Sequence, residues 1–352
     1  MSLPLVTINI VVLNGEKYIR QCLGGVRTQT YKNLEVNILD NGSSDRTREI
    51  VKKEFPEFNL IEFDRNYGMW GGQEKSFNEH TNGKYFMALS VDVILDPQAV
   101  EESVKNFSRD KKIGAIEPKI LRFYLEEESD KIIKTDIIDT CGFAVFRSRR
   151  VINIGHGEKD RGQFDFESEI FAVEGAAPIF RSEAFEDCRL INVPRYKDFN
   201  FGQRGEIMDH DMFWYGDDID LGWRMHLFGW KQIYSSKVLA FHDRKTTHSL
   251  RKTWTDFIKN RKKVPILKRR LDYRNSRLSL IKNEHIINFT KDIFHFLRRE
   301  IPLWGYFIIF ETSMLLEIFI IIKLLPRMLK KRKEVMKKSI VSSKKIRKWF
   351  IL

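Results

Sequence analysis

Leu5-Val6-Thr7-Ile8-Asn9-Ile10-Val11-Val12-Leu13 decides how the rest of the chain is read. Nine residues rich in β-branched and other apolar side chains, with little alternation, suit a parallel strand buried on both faces. Asn14-Gly15-Glu16 ends it, and within residues 17–29 Tyr18, Ile19, Cys22, Leu23 and Val26 recur at helical spacing. A second strand, 35–39, runs into Asp40-Asn41-Gly42-Ser43-Ser44-Asp45, where Ser44 or Asp45 is placed to cap a helix through Ile50 and Val51. A third strand (60–63), a Gly-containing loop with helix (66–79) and a fourth strand (85–89) follow. This alternation predicts an α/β protein with a doubly wound, mostly parallel sheet. Ligands of such sheets bind beyond the carboxyl ends of the strands, where Asn14, Asp40, Asn66 and the run Ser90, Val91, Asp92 fall.

The remainder of the 352 residues extends this reading. Strands are expected at 115–121, 143–147 and 169–172, then a Pro- and Gly-punctuated stretch at 192–205, a helix at 221–228 and a strand at 232–241 ending at His242. Net charge is +13, which raises nucleic acid as a partner, but its distribution argues against one. Residues 1–243 carry 32 basic and 40 acidic side chains, 244–277 carry 13 and 2, 278–326 carry 5 and 5, and 327–352 carry 11 and 1. Cys22, Cys141 and Cys188 lack metal-binding spacing and read as small buried hydrophobes in a reducing compartment. The N-terminus lacks the basic and small-residue marks of a signal peptide, so cytosolic synthesis without export is expected.

Three places carry chemistry. Asp40 at a strand end can accept a nucleobase N–H while the following turn amides face a phosphate; an ordinary Asx turn with a cap is the competing reading. Asp92, delivered by the strand Met87-Ala88-Leu89-Ser90-Val91, can bind Mg²⁺ or Mn²⁺ with diphosphate oxygens and water completing the shell, or serve as a turn former. Trp214-Tyr215-Gly216-Asp217-Asp218-Ile219-Asp220-Leu221-Gly222-Trp223-Arg224 crowds three carboxylates at a helix start, more than the helix dipole requires. Such crowding raises a carboxyl pKa, which suits a general base. His242 could complete a metal site or be a core histidine.

In this order, together with Asn66-Tyr67-Gly68 and Glu174-Gly175-Ala176, the fragments resemble family 2 of the inverting GT-A glycosyltransferases. They are most similar to the rhamnosyltransferase-like branch of surface polysaccharide assembly. The likeness runs over about residues 5–285 and includes Tyr273-Arg274-Asn275. It implies a GT-A catalytic domain at 1–243, with a nucleotide-binding half (1–112) and an acceptor and base half (113–243). Asn14, Asp40, Asn66, Ser90, Val91 and Asp92 would then line the nucleotide pocket, with Asp40 on the base. Asp92 would meet the metal or diphosphate, His242 would be a further metal contact, and Asp218 would be the base supported by Asp217 and Asp220. Gly175, Ala176, Trp214, Trp223 and Arg224 would contact sugar and acceptor. Ser90 replaces the first Asp of the family's DxD motif, which should weaken the Mg²⁺ or Mn²⁺ site.

The expected reaction is inverting transfer from a nucleotide-diphosphate sugar (dTDP-rhamnose, or a UDP- or GDP-sugar) to a glycan or polyprenyl-linked acceptor. A cation or amide nest would stabilise the leaving group, and one carboxylate on the opposite face would give inversion. A sugar-phosphate nucleotidyltransferase would need a Gly-rich loop with Arg and Lys, absent between Leu13 and Lys17. A non-catalytic, membrane-docked glycan-binding scaffold would suit Ser90 but not the intact acidic cluster.

Beyond the catalytic part, a basic helical segment (244–300) and an apolar then basic tail (301–352) are expected. Residues 301–325 are long enough to span a bilayer, but Glu311, Glu317 and Lys323 interrupt them and basic residues flank both ends. A monotopic arrangement on the cytoplasmic face of the membrane is expected, with the basic runs on anionic lipid. The same helices could instead pack on the catalytic domain or form a homodimer contact.

Overall fold

In a computed structural model the described residues are 2–126, 131–193, 205–244, 261 and 263–352. Parts of two sequence readings, 194–204 of the Pro- and Gly-punctuated stretch and most of 245–262 in the basic segment, lie outside them.

β1 (Val6–Val12) is buried along its whole length, as its unbroken apolar run requires. α1 (Ile19–Arg27) turns Ile19, Cys22, Leu23 and Val26 inward. β2 (Leu34–Asp40), α2 (Thr47–Glu54), β3 (Asn59–Glu62), α3 (Gly68–His80) and β4 (Tyr85–Ser90) complete the alternation. β1 lies parallel to β2 on one side and β4 on the other, with Val12 opposite Asp40 and Val11 opposite Ser90. That register brings three strand ends to one edge. The cap differs from expectation: α2 begins at Thr47, Asp45 accepts the Thr47 and Glu16 N–H groups, and Ser44 donates its N–H to Asn14 Oδ1.

The second half adds β5 (Val93–Leu95), α4 (Ala99–Arg109), β6 (Ile113–Leu125), β7 (Ile132–Thr140), β8 (Phe143–Phe146), β9 (Val151–Asn153), β10 (Glu167–Glu169), β11 (Ile179–Arg181), α5 (Ser182–Asp187), α6 (Asp217–Leu227) and β12 (Lys231–His242). The main sheet runs β10-β12-β6-β11-β4-β1-β2-β3, with β5 on β12 and β7 on β6. β11 is antiparallel to both neighbours, while the other seams from β12–β6 to β2–β3 are parallel. Two readings shift: the strand expected at 169–172 lies at Glu167–Glu169, and the helix expected at 221–228 begins earlier, at Asp217; β11, only three residues long and without periodic signal, was not foreseen.

α7 (Ile266–Asn283), α8 (Ile286–Phe310), a 3₁₀ turn (Thr312–Leu315), α9 (Leu316–Lys338), α10 (Ser343–Arg347) and β13 (Phe350–Ile351) form the C-terminal part. Here the charge count acquires a second meaning. Lys331 Nζ, fully buried on α9, lies 2.6 Å from Glu206 and 2.8 Å from Asp211, and also contacts Asp209. Arg327 reaches Asp211 at 3.0 Å and Lys282 reaches Asp220 at 2.8 Å. Part of the basic excess is therefore the counter-charge of the acidic body rather than a free polycation. No described helix is long and apolar enough to cross a membrane. Cys22, Cys141 and Cys188 are free and buried, as expected.

Candidate active site

Gly216 takes φ +80°, reversing the chain so that α6 starts at Asp217 with the acidic cluster in its first turn. Phe213 and Tyr215 also have positive φ, 41° and 66°, which bulky residues adopt only when held. The holder is Asn275 on α7, whose Nδ2 lies 2.7–2.8 Å from the carbonyls of Met212, Trp214 and Tyr215. The Tyr273-Arg274-Asn275 motif thus fixes the loop that presents the carboxylates.

The three acids of that cluster separate. Asp218 is half-buried and borders a cavity of about 710 Å³ that Glu174, Trp223 and Arg244 also line. Burial first, then the nearby Glu174 charge, pushes its pKa up to about 7, against the Ile219 N–H that it accepts at 2.8 Å. Asp217 is buried, and burial together with Asp218 raises it well above the usual carboxylate range. Asp220 does not face the cavity. It is fully buried, paired with Arg224 at 2.9 Å and with Lys282, and accepts from Asn283 at 2.7 Å. Asp220 and Arg224 lie four residues apart and neutralise each other inside the protein, out of contact with the cavity; this corrects the expected sugar and acceptor contact for Arg224 and leaves Asp220 a buried supporting residue of the same helix start.

Of the other expected sugar-side residues, Gly175 comes nearest the base. A Cβ built there would lie 3.7 Å from Asp218 Oδ2 and 3.5 Å from Trp70 Nε1. Ala176 is buried, giving its N–H to Glu174 at 2.9 Å and accepting the Ser90 N–H at 2.8 Å. Trp223 borders the cavity with an indole N–H that has no partner among the described residues. Trp214 is half exposed and stacks on Tyr215.

At the strand edge, Asn14 (φ 51°) bridges the ends of β1 and β2 through Ser43 and Ser44, and Gly68 donates to Asn66 Oδ1 at 2.7 Å in an exposed turn. Asp40 has no exposed surface; its carboxylate takes the Ser43 N–H and pairs with Arg48. A nucleobase reaches it only if one of these moves. Val91 is half-buried and packs over Gly15, where an added Cβ would stand 3.1 Å from its methyl.

Ser90 donates its hydroxyl to Asp92, and Asp92 Oδ2 lies 3.5 Å from His242 Nε2. Burial opposes ionisation of Asp92, but His242 and Ser90 outweigh it and hold the carboxyl down at about 2. His242 Nδ1 is held 2.9 Å from Asp139 Oδ2; burial would lower its pKa, yet the two carboxylates carry it up to about 10. Asp139 continues to Arg244 at 2.6 Å, and Arg244 to Glu174 at 2.8 Å. Glu174 in turn gives its N–H to Glu117 at 2.6 Å, a wholly buried carboxyl that burial raises well above its usual range. One ionic chain, Asp92-His242-Asp139-Arg244-Glu174, therefore joins the strand edge to the cavity beside Asp218.

Among the described residues no group of three His, Cys, Asp or Glu side chains is arranged to hold a metal. The donor set on offer is two, Asp92 and His242, with Asp139 fixing the far ring nitrogen as carboxylates do behind metal-bound histidines. With its Nε2 proton given up, His242 could join Asp92 in holding a divalent cation whose remaining positions come from diphosphate and water; as the imidazolium that Asp92 and Asp139 favour, it offers no lone pair. Sequence reasoning missed Asp139, Arg244, Glu117 and the role of Glu174. Only Glu174, within a quoted motif, and Arg244, two residues after His242, left any signal.

A family model described as glycosyl transferase family 2 matches residues 7–187. The glycosyltransferase GlyA of Streptococcus pneumoniae serotype 4 is 25% identical over 259 residues, 71% of this chain and 32% of GlyA. Chondroitin synthase of Escherichia coli is 32% identical over 115 residues, 32% of this chain and 17% of the synthase. The chain thus spans at most about a third of these relatives' length. Among solved structures, S. aureus TarS 1-349 in complex with UDP aligns with TM-score 0.51 at 13% identity, covering 98% of this chain and 90% of that one. GalNAc-T7 with UDP, GalNAc and Mn²⁺ aligns with TM-score 0.52 at 14% identity, covering 71% and 45%. At such identities the likeness is one of fold. With the family model spanning half the sequence on a sheet of this topology, the chain belongs to glycosyl transferase family 2 and has a GT-A-like fold.

Proposed function

We propose that this glycosyltransferase moves a sugar, with inversion, from a nucleoside-diphosphate donor to a glycan or lipid-linked glycan acceptor in polysaccharide or glycoconjugate assembly. The observation that carries the reading is Asp218, a carboxyl poised near neutrality at the wall of a cavity. In the step, the acceptor hydroxyl oxygen bonds to the anomeric carbon as its proton passes to Asp218. The bond from that carbon to the diphosphate breaks, and its electron pair leaves with the nucleoside diphosphate. A single base opposite the leaving group gives inversion. Names of relatives such as chondroitin synthase and poly-beta-1,6-N-acetyl-D-glucosamine synthase support polysaccharide as the product class. The acidic body 1–243 would supply donor site and base, and the C-terminal helices the acceptor side.

The donor would lie on the strand edge at Asn14, Asp40 and Asp92. Asp92 and His242 would hold Mg²⁺ or Mn²⁺, which when bound supplies positive charge to the departing diphosphate. UDP and Mn²⁺ in the GalNAc-T7 structure and UDP in the TarS structure support trying UDP first, with GDP and dTDP beside it. The matching nucleoside diphosphate should raise Tm, and Mn²⁺ should add an increment that Asp92→Asn abolishes. Absence of that increment in the wild type would remove the metal from the account.

Membrane association is the second part of the proposal. α8 and α9 leave a ridge exposed that includes Phe294 (82%), Ile301, Ile309, Phe310, Phe319 (70%) and Ile322. Lys291, Arg298, Lys323 and Lys330 are exposed among them. Apolar side chains flanked by cations fit the headgroup boundary of an anionic leaflet, each cation adding about 1 kcal/mol near the surface. The full chain should float with phosphatidylglycerol vesicles, and a variant combining Phe294→Ser, Phe310→Ser and Phe319→Ser should not. A wild type that ignores vesicles and instead forms a dimer lost in that variant would assign the ridge to a second copy.

A further inference from the structure

The cavity beside Asp218 has a second end, and its chemistry differs from the first. Asn14, Asp40 and Asp92 do not line it. Its far wall comes from the β8–β9 hairpin, α7 and α8, and presents Arg149, Arg150, Lys268, Arg269, Arg277 and Arg299. Arg149 is paired with Glu284 at 2.5 Å and Asp292 at 3.1 Å, and Lys268 with Asp272 at 3.3 Å, while the acids of the other arginines are shared. Glu300 serves both Arg277, at 2.5 Å, and Arg299, at 3.7 Å, while Glu311 serves Arg269 together with Arg261. Arg150 is exposed, with its guanidinium 5.9 Å from the Phe146 ring centroid. Arg149 Nη2 and Arg269 Nε are buried without a hydrogen-bond partner among the described residues. Burial, then Arg277, with Arg150 adding, lowers the Arg299 pKa to about 10, so guanidinium groups crowd one another here.

Arg150, Arg277 and Arg299 crowd around Glu300, their one carboxylate partner among the described residues, a repulsion that a multiply charged anion relieves, and planar guanidinium forks match phosphate oxygens. The apolar side of the same cavity, Trp223, Tyr273, Leu303 and Phe307, gives a sugar or an isoprenoid-like chain a surface to lie on.

We propose that this cavity is the acceptor site and that the acceptor carries a phosphate or diphosphate, bound against Arg150, Arg277 and Arg299 while the hydroxyl to be glycosylated reaches Asp218. The inference rests on Asp218 as the base and names the substrate class for that site. A lipid-linked diphosphate and a phosphate-containing glycan share this chemistry.

The test uses the full chain with its best-binding nucleoside diphosphate at saturation, so that the donor site is filled. Inorganic pyrophosphate and decyl diphosphate are then titrated by calorimetry. Saturable binding of both is expected, weakened at least tenfold by Arg150→Glu and separately by Arg299→Gln, with affinity for the nucleotide kept within twofold. Tighter binding of decyl diphosphate than of pyrophosphate would assign a lipid-linked source, and equal binding a phosphoglycan; both support the proposal. No binding once nucleotide is present, binding untouched by the two substitutions, or a parallel loss of nucleotide affinity would overturn it. Because pyrophosphate binding does not use Asp218, this failure is separable from failure of the base assignment, which donor turnover in Asp218→Asn reads.

Discussion

Asp218→Asn should lower kcat by about 10²- to 10⁴-fold, the range a positioned general base contributes. It should do so without loss of fold, because the wild-type carboxylate is itself a strained group. Its pKa is raised from 3.8 to about 7 by burial and by Glu174. A carboxyl that binds its proton more tightly when folded loses stability as pH rises through the interval between those values. The Asn variant carries no such charge, so at pH 8 its Tm should equal or exceed that of the wild type. The same shift sets the rate profile: wild-type kcat/KM should fall on acidification with a midpoint near 7, since only the ionised form accepts the hydroxyl proton. Transfer by Asp218→Asn within a factor of two of wild type would remove the residue from the mechanism.

The largest stability effect is expected at Lys331→Met. Lys331 is fully buried and meets Glu206, Asp209 and Asp211. Taking away the cation leaves three acids facing one another, answered among the described residues by Lys282, Arg327 and, at Glu206, His210. Breaking a buried pair from one side costs about 3–5 kcal/mol, read as a fall in urea midpoint at unchanged m. Lys338, about a third exposed and 3.4 Å from Asp187, is the control; Lys338→Met should cost well under about 1 kcal/mol in the same assay. The network also predicts a pH window. Asp209 is lowered from 3.8, against its burial, by Lys282 and Lys331, so its contribution is present above that value and lost on acidification. Lys331 is raised from 10.5, again against burial, by Asp209, Glu206 and Asp211, so its contribution is present below that value and lost in strong alkali. Glu206, lifted by burial, runs the other way and softens the acid limb. The part of stability that the Asp209–Lys331 pair supplies should therefore hold between about 4 and about 10, separately from the loss that Asp218 brings as pH rises to about 7, and in Lys331→Met the alkaline limb should flatten.

What could be read from the chain follows from how local each signal is. β1 to β4 and their helices are written in short apolar runs and turns, so the strand edge with Asn14, Asp40 and Asp92 was legible, as was the acidic start of α6. Asp139 was not, because its partners His242 and Arg244 stand 103 and 105 residues away and only the closure of β7 and β12 onto β6 brings them together. Asp220 and Asp218 look alike in sequence. One faces inward toward Lys282 and Arg224 and the other toward a cavity, a difference set by where α7 docks. The basic tail was legible only in part for a similar reason: a charge count gives no geometry, and Lys331 and Arg327 face the acidic body.

One direct displacement, with Asp218 taking the acceptor's proton, fixes the stereochemistry of the product. The anomeric configuration of the new glycosidic bond, read by ¹H NMR against that of the sugar in the best-binding nucleotide donor, is the measurement that decides. Inversion at the anomeric carbon is the predicted result; net retention would require a second displacement on the protein and would contradict the account.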